Sequence, residues 1–390
     1  MIVIIVITAT LAIFLSTPLA IFLSTPPQAP QDEYVSHSTI KIDNDSDLNA
    51  QNGVSGGSGT TADPFIIERL SINASQKDGL KIGNMSKYVV IRNISVHDGG
   101  VNYNGITLWN CSNIRVYNST CWNNLNGMNI WSSKVQISGN NCSNNNQSGI
   151  LMVGDNLTIS DNSIDSNGWA GINCESCRDS EIERNSLSDN PRGINCHDLW
   201  ECVISNNSIF GHDSSIIFFD GINIACSHHV LVANNTVINV LGTIATQGYG
   251  ISIVRALGGG DNITVEGNYV SAWYGGIWCS NIQDGIIRFN LIRDNSKGMS
   301  LMWAREIYGN SFINNTLQAE TVYAYAYIFF NASYPIGGNY WSNYSGADLK
   351  SGELQNISGG DGIGDTPQPV NNGNKDCYPL MSPSPYSRIA

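Results

Sequence analysis

Proline is nearly missing from the middle of this 390-residue chain: between Phe65 and Tyr334 only Pro191 occurs. Sheet interiors exclude proline and inter-domain linkers collect it, so residues 65–334 read as one uninterrupted unit and not as two or three domains. Charge is scarce as well. Only 13% of residues are charged, and 19 basic against 32 acidic residues leave a net charge of −13. Nothing here would neutralise a phosphate backbone, which argues against a nucleic-acid partner. No Lys or Arg precedes Lys41, so the basic start of an ordinary secretory leader is absent. A 3.6-residue hydrophobic period long enough for a helix is also lacking.

What the chain has in excess is asparagine, 48 residues, and glycine, 39. Its 42% hydrophobic content still suffices for a sizeable core, so this richness does not mean disorder. Ile2–Leu23 is almost wholly apolar, with AIFLSTP occurring at Ala12–Pro18 and again at Ala20–Pro26. Residues 1–31 are therefore expected to be a signal peptide or a membrane anchor. Asp32 and Glu33 follow, with no positive charge to hold the downstream side in the cytoplasm, so export to the cell surface or medium is expected. On an exported chain, the 16 N-x-S/T sequons, Asn84 and Asn110 among them, are glycan acceptors. Chance in an Asn-, Ser- and Thr-rich repeat is the alternative.

The repeat is the strongest signal. A Gly-apolar-x-apolar start recurs at Gly105, Gly127, Gly149, Gly171, Gly193, Gly221, Gly250, Gly276 and Gly298, with spacings of 22 four times, then 28, 29, 26 and 22. Each repeat continues with a second alternating block, such as Ile114/Val116, and a third built on apolar-x-x-Asn-x-apolar. The Asn of that third block falls at 140, 162, 185, 207, 235, 268, 290 and 310. Three short strands per turn of some 22 residues predict an all-β, right-handed parallel β-helix of about ten coils, roughly 48 Å long at ~4.8 Å per coil. Residues 32–64 are expected to cap its start, 65–330 to form the helix and 331–390 to cap its end. The Asn column is assigned to a corner, where each residue tolerates a left-handed backbone and bonds the Asn above. The Gly column is assigned to the other tight corner.

Ten cysteines invite a metal or disulfide reading. Repeat phase instead puts Cys174, Cys196, Cys279, Cys121, Cys142 and Cys202 where other coils carry Leu or Ile, so these six point into the core. Free core thiols, stacked disulfides between adjacent coils, and a metal site all stay open at this point.

Outward positions form columns. One runs Trp109, Trp131, Val153, Glu175, His197, and beside it stand Thr107, Asn129, Leu151, Asn173, Asn195 and Asn223. Flat rings next to amides are what a sugar-binding surface requires, so Trp109, Trp131, Asn129, Asn173 and Asn195 are the candidate carbohydrate-binding residues. Aromatic stacking beneath a loop is the alternative. Glu175, His197, Asp213 and Asp220, near the longer coils, are the candidate catalytic residues of a polysaccharide lyase or glycoside hydrolase. No dense acidic cluster accompanies them.

After Phe330 the repeat stops, and the tail reads GGNYWSNYSGAD (337–348), GGDGIGDTP (359–367) and GNKDCYPLM (373–381). With the opening SGGSGTTADPFIIERLSI (55–72), this resembles exported archaeal β-helix proteins of the NosD (periplasmic copper-binding) and CASH (carbohydrate-binding and sugar-hydrolase) group. The resemblance implies an exported surface protein. It also implies a calcium loop, of which Asp361 and Asp365 match the latter half while Ile357 and Gly359 occupy earlier ligand positions. Calcium is the one cofactor considered, and a Gly-rich turn within a cap packed by Tyr340, Trp341, Tyr344 and Tyr378 is the alternative. NosD supports copper-enzyme maturation, but no Met/His-rich copper motif carries that role here. The leading expectation is a non-catalytic, monomeric β-helix that binds glycans or cell-surface components, touching a membrane only through its N-terminus. The enzyme and the copper-maturation factor are the alternatives.

Overall fold

The computed structural model describes residues 34–211, 220–239, 248–254, 262–280, 282, 284–322 and 328–384. The chain divides into Met1–Val35 and Ser36–Ala390, and the second unit carries the sheets. The leader expected at 1–31 lies outside the described residues, as do His212 and Asp213. Among the described residues no helix is long and apolar enough to cross a membrane.

Alternating apolar residues make three strands per coil, and the coils stack into three long sheets of 13, 12 and 12 strands. In chain order, one coil contributes Ile106–Cys111 to sheet II, Ile114–Tyr117 to sheet III and Thr120–Trp122 to sheet I. The next coil returns to sheet II at Met128–Trp131, directly in register, so that Ile130 sits on Leu108 and Trp131 on Trp109. This is a parallel β-helix. The expected caps contribute strands of their own: Ile40–Ile42 pairs with Leu80–Met85, and Tyr340–Trp341 adds to Ser311–Ile313.

Identical inward phase in every coil gives one continuous core, in which Ile, Leu, Val and Cys side chains are almost wholly excluded from solvent. The six cysteines assigned to it are buried, and Cys111 and Cys177 join them. Hydrogen bonding to Cys142, and then burial, push the Cys121 thiol well up. Burial pushes Cys202 to about 12. Burial of this kind disfavours the reactive thiolate.

The corner between sheets III and I carries the Asn column. Asn162 Oδ1 accepts the Asn140 backbone N–H at 2.9 Å and its Nδ2 at 3.0 Å, while Asn162 Nδ2 donates to the Ile137 carbonyl at 3.1 Å. The pattern repeats coil by coil to Asn310 and Asn339. The left-handed backbone expected of these asparagines belongs instead to the residue before each: Gly139, Asp161, Arg184, Asn206, Asn234, Gly267, Phe289 and Gly309 all have positive φ. The turn is made one position early, and the Asn uses its side chain to satisfy the backbone donors that the turn leaves over.

A second ladder, Asn124, Asn145, Asn167 and Asn190, occupies the corner before the Gly column. It resumes as Asn295 and Asn315. The Gly column has a different cause from the expected one. Gly105 and Gly127 do not adopt positive φ. A Cβ on Gly105 would lie 2.5 Å from the Gly127 carbonyl oxygen, and one on Gly127 2.6 Å from that of Gly149, so coil-on-coil approach excludes any side chain.

At the C-terminal end Trp341 stacks on Phe312, with ring centroids 4.5 Å apart. Asp376 ends the first ladder: its Oδ2 accepts Asn339 N–H at 2.7 Å and Trp341 Nε1–H at 2.9 Å. Burial pushes this carboxyl up to about 6.

Candidate functional site

Sheet II presents one continuous outer face. The register runs Trp109, Trp131, Val153, Glu175, His197, Ala225, as the column required. Trp109 folds its indole over Gly83 of the preceding coil, a position any Cβ would close. Trp131 is 51% exposed, and its Nε1–H donates to Asn129 Oδ1 at 2.8 Å. That bond fixes the ring at the rim of a groove of about 640 Å³ lined by Asn84, Ser86, Asn110, Ser112 and Ser133. Among its lining residues Asn110 Nδ2 donates to Asn84 Oδ1 of the preceding coil at 2.8 Å.

Further along, Asn223 Nδ2 donates to Asn195 Oδ1 at 2.9 Å, and Asn195 Nδ2 to Asn173 Oδ1 at 2.7 Å. Asn173 Nδ2 then donates to Glu175 Oε1 at 2.9 Å. The amides all point one way and end on a carboxylate, an arrangement in which each bond polarises the next. Glu175 and His197 are both exposed and neighbours in register.

Asp220 has another surrounding. Its Oδ1 accepts the Tyr249 backbone N–H at 2.8 Å, and burial, opposed by that bond, by Arg192 and by Ser252, pushes its carboxyl up to about 6. Asp78 makes the same pair of bonds at the equivalent corner, to Asn104 N–H at 2.9 Å and to the Thr107 hydroxyl at 2.9 Å. Both aspartates precede a glycine of the Gly column and bond the next coil at the same two positions. The structure thus gives Asp220 the part of a coil-to-coil staple. Asp213 cannot be placed beside it, since it lies outside the described residues.

An aromatic cluster farther along the same face was not singled out from sequence. Tyr249 packs against Trp278 with centroids 5.5 Å apart and against Tyr274 at 6.2 Å, while Lys297 Nζ lies 5.5 Å from the Tyr274 ring. Lys297 also pairs with Glu320 at 2.7 Å. Trp278 stands in the same outward column as Asn129, and that phase was the available signal.

The tail carboxylates come together in one loop pair. Asp361 accepts N–H from Gly352 and Ile363, Asp365 from Leu349 and Lys350, and Asp348 from Asp361 and Gly362. Among the described residues no group of three or more His, Cys, Asp or Glu side chains is arranged to hold a metal ion.

A parallel β-helix bearing an aromatic and amide ladder on one outer face is the class of protein that fold and site define. The family model described as periplasmic copper-binding protein (NosD) matches residues 58–239 and 215–346, well over half of the chain. The chain belongs to the NosD family. No curated protein matches it. Solved structures similar to it include an alginate lyase from Paenibacillus sp. str. FPU-7, at 13% identity over 65% of this chain and 94% of that one, with a TM-score of 0.46. Another is the A-module of the Azotobacter vinelandii mannuronan C-5 epimerase AlgE4, at 11% identity over 67% and 90%, with a TM-score of 0.49.

Proposed function

We propose that this chain is an exported β-helix protein that binds glycans along the outer face of sheet II. The observation that carries the reading is Trp131, a half-exposed ring bonded to Asn129 at the edge of a groove in which the amides and hydroxyls of Asn84, Asn110 and Ser133 stand beside Met85 and Val153. A pre-oriented ring takes the C–H face of a sugar and costs little entropy on binding. The fixed amides Asn84 and Asn110 supply donors and acceptors for hydroxyls. Beyond the groove, the half-buried Asn195 and Asn223, anchored on the buried Asn173, extend the same chemistry along the helix axis. Coils ~4.8 Å apart offer a repeat close to the length of one sugar residue in an extended chain. The family's periplasmic description agrees with export.

The family description also names copper, which favours thiolates, thioethers and imidazoles. Four of the described cysteines and His197 do not fit it. Cys174, Cys177, Cys196 and Cys202 lie in the core, and burial together with the neighbouring Cys177 and Cys196 thiols pushes Cys174 well up. His197 points outward on the opposite side of its strand from Cys196.

A glycan array probed with the wild type and with Trp109→Ala/Trp131→Ala tests the reading. Retention of neutral or acidic oligosaccharides by the wild type is expected, with the double variant weaker by roughly tenfold, about 1.4 kcal/mol. A wild type that retains no glycan ends the proposal.

A further inference from the structure

The outer face of sheet I carries a second, unrelated constellation near the start of the helix. Ser71, on the strand Leu70–Asn73, places its Oγ 3.3 Å from His97 Nε2 on the next coil. His97 Nδ1 lies 2.8 Å from Asp98 Oδ2. An ionised carboxylate only accepts, so Nδ1 carries the proton. Nε2 of the neutral ring is then the acceptor, and the Ser71 hydroxyl donates to it. The tautomer follows from the chemistry of the three groups.

The carboxylate is held firmly. Asn73 Nδ2 donates to Asp98 Oδ2 at 3.1 Å and Asn123 Nδ2 to its Oδ1 at 2.9 Å. Asp98 itself sits at φ 66, a left-handed turn that swings it back toward the imidazole. These donors, with the His97 hydrogen bond first among them, keep its carboxyl below the usual aspartate range. The imidazole is held from its other side by Trp122, whose ring stacks on it with centroids 5.1 Å apart and planes 13° from parallel. Trp122 is itself 39% exposed. Ser95, the in-register neighbour of Ser71 one coil on, brings a further hydroxyl to the same outward column.

We propose that Ser71, His97 and Asp98 form an acyl-transfer site that hydrolyses short acyl esters of sugars. Nucleophile, base and orienting acid stand in the order such a relay requires, with the nucleophile–base distance in the looser range seen before substrate binds. Ser71 Oγ attacks the ester carbonyl carbon and its proton passes to His97 Nε2. The bond from that carbon to the sugar oxygen breaks, and the departing alcohol takes the proton from Nε2. Water, deprotonated by the same nitrogen, then attacks the acyl-serine, releases the acid and restores Ser71. The Ser95 hydroxyl, one coil on in the same outward column, is assigned as the donor to the oxyanion. An open sheet surface favours a short acyl group, and the Trp122 indole offers the ring on which a sugar would stack. Asp98 acts through His97 and is a positioning residue.

The test uses the full chain, p-nitrophenyl acetate and a fluorophosphonate probe. The wild type is expected to hydrolyse the ester above the buffer rate and to be labelled at Ser71, as mapped by peptide mass spectrometry. Ser71→Ala should remove both signals, and His97→Gln should lower kcat by at least ~100-fold. Asp98→Asn should lower kcat with KM unchanged, which a merely structural role would not do. Ser186→Ala, in the same outward column of a distant coil, should match the wild type. Matching melting temperatures across the set separate chemistry from folding. An unlabelled Ser71, or hydrolysis unaltered in Ser71→Ala, overturns the proposal.

Discussion

Of the three asparagine columns in this molecule, two are buried at corners and one runs along the face of sheet II. In the first corner column, Asn140 to Asn339, each side chain bonds both the backbone and the side chain of its neighbours. The outer one lies on the face of sheet II and bonds side chain to side chain; Asn195 and Asn223 are half-buried there, and Asn173 is buried. Removing an inner Asn strands donors away from water. Removing Asn195 or Asn223 opens its neighbours to solvent that can replace it. The same amide is therefore a structural necessity in one column and an available binding group in the other.

The largest effect should come from Asn207→Ala. Asn207 Oδ1 accepts both the backbone N–H and the Nδ2 of Asn185, and its own Nδ2 serves Ile182 O and Asn235 Oδ1. With donors orphaned at ~1–3 kcal/mol each, a loss of about 2–4 kcal/mol is expected by denaturant unfolding. A loss under about 0.5 kcal/mol would erase the distinction between the columns.

Asp220 sharpens the comparison through pH. Its folded pKa of about 6 lies above the ordinary aspartate value of 3.8, so the native state holds the proton more tightly than the unfolded chain. The stabilisation is complete below about 4 and is lost as pH rises through about 6. Asn at this position keeps an oxygen for Tyr249 N–H and carries no titration. The melting temperature of Asp220→Asn should therefore gain on that of the wild type between pH 4 and 7. Parallel curves would remove Asp220 from the linkage.

The smallest stability effect belongs to Asn195→Ala, within about 0.5 kcal/mol of the wild type by the same unfolding measurement. Retention on whichever glycan the wild type binds should nevertheless fall. An Asn195→Ala protein as unstable as Asn207→Ala would show that the outer ladder, too, is structural.

Much of this was legible because a coil repeat converts sequence phase directly into spatial position. Trp131 on Trp109 and Cys196 on Cys174 follow from spacing alone. The second Asn ladder was less legible, because Asn124 precedes its glycine by three residues and Asn145 and Asn167 precede theirs by four. Corner slack of one residue hides a column that the backbone nevertheless aligns. Asp220 attracted a catalytic reading as an acid near long coils, and only its bonds reveal the kinship with Asp78. Ser71 and His97 lie 26 residues apart, and their meeting depends on the His97 ring reaching back across a coil.

The sequence by itself determined the architecture: alternating apolar residues and a repeat near 22 leave few ways to bury a core other than stacking coils. It also determined which residues face out. What only the tertiary structure decided is how those outward groups bond to one another. Side-chain rotamers and coil-to-coil contacts choose between a staple, a ladder and a relay, and phase along the chain carries no information about that choice.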